Sequence, residues 1–151
     1  MDSVIYEESP RYDTFLKAII VLPVYFIIAG IYYLFTGEVE AGTGMFATTL
    51  LMVALYWAIL PRKYRILDSK FKIVLGGPFS FNVPFDNLEA AGAPEGATFG
   101  INFATCFSSE RTVQITRKKG WNVNITPNSR DRFLENLNKA LTDWRRYNIA
   151  K

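Results

Sequence analysis

The chain has 151 residues, 17 Lys and Arg against 14 Asp and Glu, and a hydrophobic half. It contains no histidine and a single cysteine, Cys106. The commonest general base and metal ligand is therefore missing, and no intrachain disulfide can form. A lone cysteine fits a reducing cytosol. The charge is unevenly divided, with a net −4 over residues 1–60 and +7 over residues 61–151. A domain this basic, tethered beside an anionic leaflet, is drawn toward it. Basic flanks are also the ordinary signal of membrane topology.

Residues 1–13 are short, polar and acidic, and are expected to form an extended or frayed tail. Residues 15–35 then read FLKAIIVLPVYFIIAGIYYLF. As a helix this run covers roughly 31 Å, enough for a hydrocarbon core of about 30 Å. Its one charge, Lys17, lies near an end, where its long side chain reaches the head groups. Pro23 is tolerated inside such a helix. Tyr32 and Tyr33 suit an interfacial aromatic belt. A second run over residues 43–60 reaches roughly 27 Å and carries Tyr56 and Trp57 at its exit. Ala54 and Ala58 in this run form a small-xxx-small pair suited to close helix approach. Residues 14–61 thus predict a transmembrane helical hairpin.

Neither run has the polar stripe of a helix in a soluble core. A cleaved signal is disfavoured by the acidic start, the length of the first run and the presence of a second. The turn between the runs carries Glu38 and Glu40 and no Lys or Arg. The outer flanks carry Arg11 and Lys17 on one side, and Arg62, Lys63 and Arg65 on the other. That asymmetry predicts a multi-pass protein of the plasma or inner membrane with both termini cytoplasmic.

After Pro61 the apolar period changes, and residues 62–151 are expected to fold on their own. Segments 64–67 and 71–75 are β-rich and separated by the turn Asp68-Ser69-Lys70. Gly76-Gly77-Pro78 is a second turn, and residues 79–85 form a third strand. Residues 86–98 read as a loop with a short strand at 88–91. Residues 99–107 are expected as one strand. Segments 112–116 and 121–125 alternate clearly about the turn 117–120 and predict a hairpin. Pro127 sets a helix entry, Asn128 is the expected N-cap, and Asp131 sits in the first turn. Phe133, Leu137, Ala140, Leu141 and Trp144 recur at helical spacing and define the buried face. The fold class is therefore α+β, with about six or seven antiparallel strands closing into a barrel or sandwich capped by a C-terminal helix.

Tyr64-Arg-Ile-Leu-Asp68, Lys72-Ile-Val-Leu-Gly76 and Val83-Pro-Phe-Asp-Asn-Leu88 resemble the opening strands of bacterial-type pleckstrin-homology (PH-like) domains. Val113-Gln-Ile, Lys119-Gly-Trp-Asn-Val-Asn-Ile-Thr-Pro127 and Arg132-Phe-Leu-Glu-Asn-Leu137 are similar to that family's last hairpin and helix. In the family such a domain often follows a two-helix membrane hairpin. The resemblance implies a fold and an anchor, not an activity. The loop that holds phosphoinositides in some PH domains is here only Asp68-Ser69-Lys70, too short to enclose a head group.

Two readings of function follow. One is a membrane-anchored, non-enzymatic interaction or scaffold module on the cytoplasmic face. Its partners would be the bilayer, a membrane or cytoplasmic protein, or another copy of itself. The alternative is an anionic-lipid-surface sensor or an accessory to envelope lipid handling. The candidate contacts are Arg62, Lys63 and Arg65 beside the membrane and Arg117, Lys118 and Lys119 in the hairpin turn. Trp121 is expected to pack in the core or on a strand face and not to anchor in lipid. Asp68, Asp86, Asp131 and Tyr64 are accounted for as turn, cap or strand residues, so no catalytic residue, cofactor or metal is expected. No nucleic-acid reader motif accompanies the basic charge.

Overall fold

The computed structural model describes residues 3–94, 100–106 and 108–149. Its first helix, α1 (Thr14–Phe35), starts where the Asp13 carboxylate accepts a hydrogen bond from the Leu16 amide at 2.7 Å, satisfying one orphan donor of the first turn. It ends at Phe35, and Gly37, with a positive φ of 87°, reverses the chain. The second helix, α2 (Val39–Ile59), begins at once. The polar turn is therefore shorter than the sequence suggests. Residues 39–42 are too polar to read as a span, but nothing in them opposes helix formation.

The two helices meet along small residues. A Cβ at Gly30 would lie 3.3 Å from the Gly42 carbonyl oxygen, and one at Gly42 would lie 2.8 Å from the Leu34 side chain. Close approach uses this glycine pair, whereas Ala54 of the expected pair remains exposed. Pro23 has no amide to offer the Ile19 carbonyl. The Tyr56 hydroxyl from α2 donates to that oxygen at 3.3 Å instead. A backbone carbonyl left open within an apolar helix is costly. Tyr56→Phe is expected to lower the hairpin's unfolding free energy in detergent by about 1 kcal/mol. An unchanged value in an SDS-titration measurement would show that this bond contributes nothing.

The remainder is two four-stranded sheets and one helix. The first sheet contains β1 (Val4–Glu8), β2 (Lys63–Leu67), β3 (Lys70–Val74) and β4 (Ser80–Pro84), all antiparallel and in that order. The second contains β5 (Leu88–Gly92), β6 (Ile101–Asn102), β7 (Val113–Arg117) and β8 (Val123–Ile125), in the order β5-β7-β8-β6. Its β6–β8 pair is parallel, so the second sheet is mixed and not wholly antiparallel as expected. The long strand expected over 99–107 is reduced to Ile101–Asn102. The Asn102 side chain accepts from the Ala104 amide and bends the chain out of the ladder. Phe99 and Phe107 lie outside the described residues.

The larger correction concerns residues 3–13 of the expected tail. They are not a frayed tail, because Val4–Glu8 is the edge strand of the first sheet. The helical hairpin is inserted between β1 and β2, which pair with each other. Both ends of the hairpin therefore leave the same domain. The strap that follows β1 crosses to the second sheet. Arg11 N donates to the Thr126 carbonyl at 2.9 Å, and Asp13 N to the Thr105 carbonyl at 3.1 Å. The Tyr12 hydroxyl donates to the Pro61 carbonyl at 2.5 Å and joins the two helix exits. Burial raises the Tyr12 hydroxyl above the usual tyrosine range.

The C-terminal helix α3 (Arg130–Ile149) lays its apolar stripe over the core. Phe133 and Leu137 are fully buried, and the Phe133 ring contacts Tyr6, Tyr64 and Phe71 edge-on, with centroids 5.6 to 6.5 Å apart. Trp144 meets Phe85 in the same manner. Arg132, Glu135, Lys139, Asp143 and Arg146 are exposed. The helix starts after Ser129 and not after Asn128. Its entry is satisfied from outside. Ser129 N donates to the Glu8 carboxylate at 2.5 Å, and Asn128 N to the Ser9 carbonyl at 3.3 Å. A carboxylate at this end also complements the helix dipole.

Candidate membrane junction and interaction surface

The helix exits, the start of β2 and the β3–β4 turn share one end of the domain. Arg62 N donates to the Val74 carbonyl at 2.8 Å, and Lys63 is level with Val74 and Ser80. The turn over 75–79 packs on Trp57 of α2. A Cβ at Gly76 would fall 1.5 Å from the Trp57 carbonyl oxygen, so only glycine fits there. Phe79, in the same turn, is 53% exposed.

The juxtamembrane cations differ in availability. Glu7 of β1 binds both Arg65, directly opposite it on β2, and Lys63, two residues along the same strand. Hydrogen bonds from Lys63 and then Arg65 hold its carboxyl below the usual carboxylate range. Lys63 and Arg65 are thus engaged within the fold. Arg62 is exposed, with its guanidinium 5.6 Å from the Trp57 ring centroid.

The other cationic set lies elsewhere. Lys118 N donates to the Asn87 carbonyl at 2.9 Å, Lys119 N to Asn87 Oδ1 at 2.8 Å, and Asn87 Nδ2 to the Lys119 carbonyl at 3.0 Å. Asn87 belongs to the β4–β5 corner. That corner adjoins the β2–β3 turn, because Phe85 N donates to the Ser69 carbonyl at 2.9 Å. It is separated from the helix exits by about one strand length, on the order of 16 Å for five residues. Arg117 turns inward, with its guanidinium 5.7 Å from the Phe81 ring centroid and Nη1 donating to the Trp121 carbonyl at 3.3 Å. It braces the hairpin, while the side chains of Lys118 and Lys119 are exposed.

Trp121 is the residue the sequence misjudges. It is 72% exposed and not packed on a strand face, because β8 begins only at Val123. Asn122 Oδ1 accepts from Arg117 N, and the ladder stops at the Ile115–Val123 pair, two residues short of the expected strand start at Trp121. The tip therefore presents an indole beside two lysines. The candidate cations form two separate surfaces, one at the junction and one at the tip.

Tyr64, a strand residue in the sequence reading, is fully buried and donates to the Phe103 carbonyl at 3.1 Å. Burial pushes its hydroxyl well above the usual tyrosine range. Among the described residues, no group of three or more His, Cys, Asp or Glu is placed to hold a metal ion. No protein-family model matches the chain, and no curated protein or solved structure matches it.

Proposed function

We propose that this protein is a membrane-anchored, non-enzymatic scaffold whose PH-like domain sits on the cytoplasmic face and binds a protein partner. The observation that carries the reading is the insertion of the hairpin between two paired strands, which fastens the domain at both helix ends. Both helices are long and apolar enough to cross a membrane, and little of either is buried within the protein. A core helix of a soluble protein would be covered, so lipid is the natural solvent for these surfaces. The cytoplasmic orientation is supported by Arg11, Lys17, Arg62, Lys63 and Arg65 flanking the helices and by the absence of Lys and Arg from the turn. The PH-like reading is supported by strands β2 to β8 in two sheets closed by a C-terminal helix. The added strand β1 departs from it.

The binding surface in this reading is the β7–β8 tip. An exposed tryptophan is the kind of anchor that dominates protein interfaces. Lys118 and Lys119 beside it favour an acidic partner. A photoactivatable residue in place of Trp121 should cross-link a discrete protein in cells, and one in place of Lys139 should not. Equal adducts from both positions, or none from the tip, would remove the tip from the proposal.

The lipid-sensor reading is favoured by one observation, the exposed Arg62 above Trp57 at the membrane end of the domain. Lys118 and Lys119 contribute little to it, since their turn is fixed to the corner away from the helix exits.

A further inference from the structure

The outer face of the hairpin, next to the domain, contains a groove of about 480 Å³. Its walls are apolar, from Pro23 and Val24 of α1 and Val53 and Trp57 of α2, and its domain end carries Tyr12 and Arg62. The groove opens outward, since Val24, Val53 and Trp57 are each about half exposed. Among the described residues its lining contains no acidic side chain, and its one cation is Arg62.

We propose that this groove holds one anionic phospholipid, with an acyl chain against Pro23, Val53 and Trp57 and the phosphate on Arg62. The inference rests on the membrane reading above and adds a ligand to it. Three features select this occupant. The volume falls within the range of ordinary ligand sites, about 300–1,000 Å³. The apolar length from Ile20 to Ile27 runs roughly 10 Å along α1, within one leaflet. The single cation stands at the domain end, at head-group depth. Within the groove lining Arg62 is the one cation, and its neighbours Lys63 and Arg65 are bound to Glu7. One basic residue at an anionic surface corresponds to about fivefold in affinity.

The test uses the full chain carrying Trp121→Phe in nanodiscs, with a parallel Trp57→Phe sample to subtract the remaining emission. Phosphatidylglycerol or phosphatidylcholine with brominated acyl chains is added as quencher. Trp57 emission is expected to be quenched at roughly fivefold lower mole fraction by the brominated phosphatidylglycerol. The preference should vanish in Arg62→Gln and persist in Arg62→Lys. Equal quenching by the two lipids, or an unaltered preference in Arg62→Gln, overturns the site and leaves the membrane reading standing. Quenching by neither lipid overturns both. Quenching that rises when the protein is diluted tenfold in lipid assigns the groove to a second copy and overturns the proposal.

Discussion

Phe133→Ala is expected to destabilise the domain by about 3–5 kcal/mol, the usual cost of removing a buried phenylalanine. The ring is fully buried and contacts Tyr6 of β1, Tyr64 of β2 and Phe71 of β3. Truncation would open a cavity between the helix and three strands at once, and a close-packed core relaxes only partly around such a gap. Domains of this size hold about 5–15 kcal/mol in all. In the full chain in detergent, the sheet domain's melting temperature should fall by roughly 12 °C or more. Leu137→Ala, one turn further on the same stripe, should cost about 2–5 kcal/mol. Lys139→Ala, on the exposed side, should be nearly neutral. Unchanged melting in Phe133→Ala, with loss of association, would make α3 a docking face and not the cover of the core.

The second large effect concerns residues 3–13. Residues 62–151 alone lack β1, although the sequence reads as a self-sufficient domain from Pro61 onward. Without β1, the ladder partners of β2 are lost, Tyr6 leaves Phe133, and Glu8 no longer satisfies the entry of α3. The Arg11–Thr126 and Asp13–Thr105 bonds are lost as well. At about 1 kcal/mol per hydrogen bond, the deficit is on the order of 5 kcal/mol before any apolar surface is counted. Residues 62–151 should therefore give a dye-binding species without a cooperative melt. Replacing residues 14–61 by a short Gly/Ser linker should restore cooperativity, because Tyr12 and Pro61 are already in contact. Cooperative melting of residues 62–151 at the temperature of the linked chain would show that β1 is dispensable.

The hairpin is legible in the sequence because membrane-length apolar runs depend on composition alone. Most of the sheet is legible because Tyr64, Ile66, Phe71, Ile73, Val113 and Ile115 alternate with polar residues, and such local patterns need no knowledge of partners. The C-terminal stripe is legible for the same reason, at a period of 3.6. β1 is not. Val4-Ile5-Tyr6 is brief, Glu7 and Glu8 follow, and the pairing strand lies beyond the whole hairpin. The acidic pair reads as a solvated tail, yet Glu7 binds Lys63 and Arg65, and Glu8 caps α3. At the candidate surfaces, the cation types are visible in the sequence but their partners are not. Lys63 and Arg65 are engaged by a residue more than fifty positions away. Trp121 is misread because its alternation with Val123 continues past the last ladder bond.

Single-cysteine accessibility across the membrane is the most direct measurement of the anchored arrangement. Cys106, which is buried, is first replaced by serine. Glu38→Cys then marks the turn between α1 and α2, and Lys139→Cys marks the exposed side of α3. In intact cells, an impermeant maleimide should modify the Glu38→Cys chain and leave the Lys139→Cys chain unlabelled until the membrane is permeabilised. Labelling of the domain position alone would reverse the orientation and set the domain outside the cell. Labelling of neither position in intact cells would show that the hairpin does not cross the bilayer.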